Sequence, residues 1–129
     1  MMTSFNFDSL TVIQHNVLNW NNNKTALTNI YTELNPDIIL LNSLSLIDNH
    51  KPKIPYYNSH YSNKDNTYHN ETAIAIKHNI QYRLHDDVHS DLLAITVTTR
   101  QGPITISTLY DRPKKGYPNS KELVTETPS

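Results

Sequence analysis

The chain has no cysteine, so neither disulfides nor thiolate metal sites enter its chemistry. It has two glycines, Gly102 and Gly116, against an average use of about 7%. Inexpensive left-handed turns are therefore scarce, and asparagine is the next residue able to make them. Asparagine is abundant, with a run at Asn21-Asn22-Asn23, and composition bias plus turn duty account for it. An excess of basic charge is also missing. Eleven Lys and Arg stand against twelve Asp and Glu, a formal net charge of -1. The densest basic group is only Arg112, Lys114 and Lys115. That balance excludes a strong, broad phosphate-neutralising surface, because non-specific nucleic-acid affinity comes from clustered cations. No apolar run approaches the roughly 20 residues of a membrane span. The opening Met1 to Asp8 lacks the basic region and apolar core of a signal peptide. A soluble, intracellular protein, nuclear or cytoplasmic, is expected. Its 129 residues amount to one domain.

What is present is a pattern of strands around one helix. Leu10 to Val17 is β-branched and bounded by polar residues, as a strand is. From Trp20 to Leu34, the residues Leu27, Ile30, Tyr31 and Leu34 recur at i, i+3, i+4, i+7 and line one helical face. One of Asn21 to Asn23 is expected to cap this helix, and Asn35-Pro36 to end it. Asp37 to Leu41 is a continuous apolar run of strand length, the signature of burial on both faces. Strand, helix and strand make a βαβ unit with a right-handed crossover. Further on, Tyr56 to Ser62 reads as an edge strand and residues 63–70 as a loop. Thr72 to Lys77 and Gln81 to Leu84 read as strands turning around His78-Asn79. Leu92 to Thr99 and Pro103 to Tyr110 alternate, joined by a hairpin turn at Arg100-Gln101-Gly102. The expected division is an N-terminal segment over 1–9, a domain over 10–113 and a flexible tail over 114–129.

Three segments in this order carry a family resemblance. They are Val12-Ile13-Gln14-His15-Asn16, then Asn35-Pro36-Asp37-Ile38-Ile39-Leu40-Leu41-Asn42-Ser43-Leu44. Last come Thr72 to Ile80 together with Pro103 to Tyr110. Over about residues 10–113 the chain resembles the N-terminal half of an endonuclease/exonuclease/phosphatase domain, as in jockey-like non-LTR retrotransposon endonucleases. The resemblance implies an α/β fold, a truncated half of the family's four-layer sandwich. One mixed β-sheet with a βαβ start and one main helix is expected.

The resemblance also implies a chemistry, Mg-dependent phosphodiester hydrolysis by an activated water. Asn16 takes the place of the family's strand-end Asn, and Tyr110 that of its phosphate-side Tyr. Ser43 stands where the family has its metal-binding Glu. A neutral hydroxyl cannot replace a carboxylate as ligand to a hard cation, because the site loses formal charge. The family's later Asp-x-Asn and Ser-Asp-His type motifs do not occur in the chain. No intact metal site and no bound cofactor are therefore expected, although the family uses Mg. Asn16 and Tyr110 are expected as relics by family position. Each also has a plain alternative, since Asn ends strands and Tyr favours them.

Other clusters admit both a functional and a bland explanation. His85-Asp86-Asp87-Val88-His89 could hold a metal, but imidazoles at i, i+4 chelate best on a helix, and here a solvated loop is expected. His60 and His69 with Tyr56, Tyr57, Tyr61 and Tyr68 could stack bases; an ordinary amphipathic surface is the simpler account. A half-sandwich would leave one sheet face bare, at about 25 cal/mol per Å² of unrealised burial. Self-association or a protein partner through that face is expected, with DNA binding possible but weak and no membrane role. Three functions stay open: a remnant or domesticated endonuclease-like domain acting by binding, a Mg-dependent nuclease completed by a dimer mate or partner, and a structural or inhibitory assembly module.

Overall fold

The computed structural model describes residues 2–7, 9–17, 19–42, 44, 53–61, 72–85, 92–109 and 127–128. A strand that the sequence pattern did not announce, β1 (Met2–Phe7), runs antiparallel to β2 (Leu10–Asn16). Its Phe5 lies opposite Val12 and packs against the apolar core. β2 then leads through helix α1 (Trp20–Leu34) into β3 (Ile38–Asn42). β2 and β3 pair in parallel, with Val12 opposite Ile38 and Asn16 opposite Asn42. The anticipated βαβ unit is present.

Helix α1 starts one residue before the asparagine run, so its cap is Asn19 rather than Asn21, Asn22 or Asn23. The Asn19 side chain accepts a hydrogen bond from the Asn22 backbone N–H at 3.2 Å, satisfying one of the helix's orphan donors. At the other end Asn35 adopts the left-handed conformation (φ 51°, ψ 50°) and its N–H returns to the Tyr31 carbonyl. This stops the helix before Pro36, as a C-cap asparagine does. The buried stripe is Trp20, Leu27 and Tyr31. Ile30 and Leu34 stay exposed, on the flank of the stripe rather than in it.

The first sheet has the order β1-β2-β3-β5-β4, where β4 is Tyr57–Tyr61 and β5 is Ala73–Lys77. Both β3 and β4 run antiparallel to β5. The second sheet has the order β6-β7-β8-β9, formed by β6 (Tyr82–Leu84), β7 (Leu92–Thr99), β8 (Gly102–Leu109) and β9 (Thr127–Pro128). β7 and β8 form the anticipated hairpin; Thr99 faces Gly102, whose φ of 113° only glycine adopts readily. β9 lies in the stretch expected as tail and pairs with Ile104 and Thr105.

Two expectations are corrected here. The turn at His78-Asn79 does not close a hairpin, because β5 and β6 belong to different sheets. The face of the first sheet expected to be bare is covered. Val12, Ile38, Leu40, Ile74 and Ile76 from the first sheet pack on Leu93, Ile95, Val97, Ile104 and Ile106 from the second. Its opposite face, with Ile39, Leu41, Ala73 and Ala75, packs under Trp20, Leu27 and Tyr31 of the helix. The layers are thus helix, sheet, sheet. β3 and β5 read as continuous apolar runs because each is buried on both sides. β7 and β8 alternate, with Thr96, Thr98 and Thr105 turned away from that shared core.

Candidate functional site

Side chains in a strand alternate between faces, so each row pointing into the inter-sheet core can be followed residue by residue. On β2 the row is Leu10, Val12, Gln14, Asn16; on β3 it is Ile38, Leu40, Asn42. On β5, which runs the other way, it is Ile76 and Ile74, continuing to Thr72. On β8 it is Ile104, Ile106, Thr108. Each of these four rows is apolar at one end and polar at the other, and the polar ends coincide, while the β7 row of Leu93, Ile95 and Val97 stays apolar throughout. The polar ends gather where the parallel strands β2 and β3 finish, the usual place for ligands in α/β sheets.

This end is held closely. The Val17 N–H donates to the Asn42 carbonyl and the Trp20 N–H to the Leu44 carbonyl, both at 2.9 Å. The chain leaving β2 is thereby tied to the chain leaving β3. Asn42 is fully buried, and its Nδ2 donates to Thr108 Oγ1 at 3.4 Å across the two sheets. Thr72 and Thr108 are fully buried as well, and Gln14 nearly so. Among the described residues, Asn16 Oδ1, Asn42 Oδ1 and Gln14 Nε2 are buried without a hydrogen-bond partner. Buried polar groups are nearly always satisfied, so three orphans in one place single it out.

The donor chemistry is that of neutral groups. Two amide oxygens, an amide nitrogen and two hydroxyls gather there, buried from solvent and without formal charge. A hard dication such as Mg²⁺ is held by carboxylates. The described carboxylates, Glu33 and Asp37, sit at the opposite end of the strands, in the last turn of α1 and just before β3. Asp37 is engaged there: it accepts from the Thr11 N–H at 2.8 Å and pairs with Lys77 Nζ at 3.8 Å. No group of three or more His, Cys, Asp or Glu side chains converges among the described residues. The described donor set does not fit a divalent metal.

Of the residues singled out from sequence, Asn16 is at this end. Ser43 and Tyr110 lie outside the described residues, although Ser43 directly follows Asn42 and Tyr110 comes two positions after Thr108. The partners that the sequence reading missed are Gln14, Asn42, Thr72 and Thr108. The available signal was a polar residue at an inward, period-two position. His85 directly follows β6 and reaches across to β7, where its Nε2 lies 2.6 Å from Thr96 Oγ1; Asp86 to His89 lie outside the described residues.

The other titratable groups bind the fold together. His15, on the helix side of β2, has its Nδ1 2.6 Å from the Tyr31 hydroxyl. Burial lowers the His15 pKa and raises that of Tyr31, so both are held in their neutral forms. His60 on β4 meets the Tyr82 hydroxyl of β6 at 2.7 Å, linking the two sheets at their edges. Tyr57 donates to the Pro36 carbonyl. Its phenol is pushed up to about 12, by burial first and then by the Asp37 carboxylate. Tyr61 packs toward the helix-side core. Only Tyr56, 74% exposed, projects from this group of aromatics, and Tyr68 and His69 lie outside the described residues. Among the described residues, no helix is long and apolar enough to cross a membrane.

No protein-family model matches the sequence, and no curated protein matches it. Solved structures do. The endonuclease domain of TRAS1, a telomere-specific non-LTR retrotransposon, superposes with a TM-score of 0.63 at 16% identity, over 83% of this chain and 47% of that one. The human Nocturnin catalytic domain with bound sulfate superposes with a TM-score of 0.59 at 15% identity, over 90% of this chain and 54% of that one. Both are of the endonuclease/exonuclease/phosphatase type. The chain has that fold, and it spans about half the length of the solved domains it matches.

Proposed function

We propose that the chain is an endonuclease-like domain of retrotransposon origin, remnant or domesticated, that acts by binding and does not hydrolyse phosphodiesters. One observation carries this: the polar end of the sandwich is lined by the neutral groups of Asn16, Asn42, Thr72 and Thr108, with Gln14 behind them. Hydrolysis at such an end needs a charged ligand set for the metal and a base for the attacking water. Ser43, next to Asn42, supplies neither. Amides and hydroxyls can still orient a phosphate, a sugar or a base edge by hydrogen bonding.

The test is nicking of supercoiled plasmid by the purified protein with Mg²⁺ or Mn²⁺, beside an Asn16→Ala control. No conversion to open circle is expected. Nicking by the parent that disappears in Asn16→Ala overturns the proposal. A second function rests on the likeness to an endonuclease domain: a site completed by a partner that brings carboxylates. That alternative requires nicking to appear only on mixing with such a partner, and to depend on Asn16.

A further inference from the structure

We propose that β1 is a self-pairing edge, and that two copies of this chain join through it, antiparallel, into a symmetric dimer. Among the described strands, β1 and β4 bound the first sheet, and β6 and β9 the second. A bare edge is a template for pairing, and proteins blunt it with charge, proline, brevity or cover. β9 has two residues, and β6 has three with Arg83 at its centre. β4 is half-buried along most of its length. β1 has none of these defences. Its six residues, Met2-Thr3-Ser4-Phe5-Asn6-Phe7, hold no charge and no proline, and Met2, Thr3, Ser4 and Asn6 are exposed.

The register shows why a second copy fits. Phe7 lies opposite Leu10 across a two-residue connection, which makes them a hydrogen-bonded pair. Counting back by twos, Phe5 and Thr3 direct their backbone N–H and C=O groups to β2. Those of Asn6, Ser4 and Met2 point outward, and they have no partner among the described residues. A second β1, laid with Ser4 opposite Ser4 and Met2 opposite Asn6, satisfies all three on both copies with about six backbone hydrogen bonds. The two-fold axis passes through the Ser4 pair, so the contact closes on itself. No charges are brought face to face, and a formal net charge of -1 per chain gives little long-range repulsion.

The apolar surface is arranged to match. Met2 lies opposite His15, whose ring meets Tyr31 of α1, so Met2, Ser4 and Asn6 are on the helix side of the sheet. One flank of α1, with Thr28, Thr32 and Asn35, faces the Lys53 to Tyr57 segment. Ile30 and Leu34 are on the other flank, toward β2 and β1. Three of the four exposed large hydrophobics among the described residues, Met2, Ile30 and Leu34, thus lie on the side where β1 ends the sheet. A two-fold axis perpendicular to the sheet puts both helices over one face. Those residues of each copy then line a single trough across the seam.

The experiment is sedimentation velocity of the full chain from about 1 µM to about 200 µM, which spans weak association. The parent is expected to pass from monomer to dimer and to stop there. Ser4→Lys sets two cations against each other on the axis and should raise the dimer's Kd at least about tenfold. Asn58→Lys, the same change on β4, should leave it within about twofold, and circular dichroism checks that both variants are folded. In this cysteine-free chain, Ser4→Cys should cross-link on mild oxidation, its paired Cα atoms lying about 5.5 Å apart. Asn58→Cys should not. With rising concentration the Ser4 and Asn6 amides should gain protection from hydrogen exchange, while those of Thr3 and Phe5 stay unchanged. A parent that remains monomeric throughout, or runs on to larger assemblies, overturns the proposal. So does a dimer indifferent to Ser4→Lys, or a cross-link that Asn58→Cys forms as readily as Ser4→Cys.

Discussion

Asn16 and Asn42 stand opposite each other at the ends of two parallel strands, and the side-chain oxygen of each is buried without a hydrogen-bond partner among the described residues. An orphaned buried acceptor costs about 1–3 kcal/mol. Asn42→Leu is therefore expected to raise the unfolding free energy by about 1 kcal/mol, since the one bond it forfeits, to Thr108, is long at 3.4 Å. Urea denaturation measures this. A loss of more than about 2 kcal/mol would show that the amide is well satisfied in solution.

Ile106 is fully buried where the two sheets meet. Truncation to alanine deletes methyl groups that both sheets pack against, so Ile106→Ala should cost about 2–5 kcal/mol. Thermal or urea unfolding tests it. A cost below about 1 kcal/mol would mean that the second sheet does not close over the first.

His15 makes acid stability a measurable property of the helix-side core. Its pKa is lowered by burial from an ordinary 6.5. Below that value the unfolded chain takes up a proton that the folded imidazole refuses, so this contribution is complete above about pH 6.5 and lost as pH falls. His15→Gln should flatten the acid side of the stability–pH curve relative to the parent. Parallel curves for the two proteins between about pH 7 and pH 5 would refute the assignment.

Tyr57 works in the opposite direction. Its pKa is raised from 10.0 to about 12, so its contribution is complete below about pH 10 and lost as pH climbs through the folded value. Tyr57→Phe removes the bond to the Pro36 carbonyl and should cost about 1 kcal/mol at neutral pH. The gap between variant and parent should narrow toward pH 12. A gap that widens there contradicts the shift.

Much of the fold was legible because its signals are local. Helix α1 spans Trp20–Leu34 as its spacing implied, and Asn35-Pro36 ends it. The double-sided burial of β3 was written in Ile38-Ile39-Leu40-Leu41. β1 escaped notice because Met2-Thr3-Ser4-Phe5-Asn6-Phe7 is poor in β-branched residues, and its alternation shows only once Phe5 is seen opposite Val12. The second sheet escaped for a different reason. β5 and β6 are separated by only a few residues, which looks like a hairpin, and nothing local records that the chain changes layer at His78-Asn79. The site was half legible. Asn16 stood out by family position, whereas Thr72 and Thr108 look like ordinary strand threonines until the register brings them to Asn42. Long-range register is a tertiary property, and local propensity does not carry it.

Strand β3 has a neighbour on each side, β2 and β5, and a packed layer on each face. Its backbone amides can meet solvent deuterium only when the whole structure opens, whereas those of the outermost strands β1 and β4 are released by local fraying. The exchange rate at Ile39 and Leu40 is thus a built-in gauge of global unfolding, readable without denaturant. A ligand that binds only the folded chain should slow those two amides by a factor of one plus the ratio of its free concentration to its Kd, even one seated far from them.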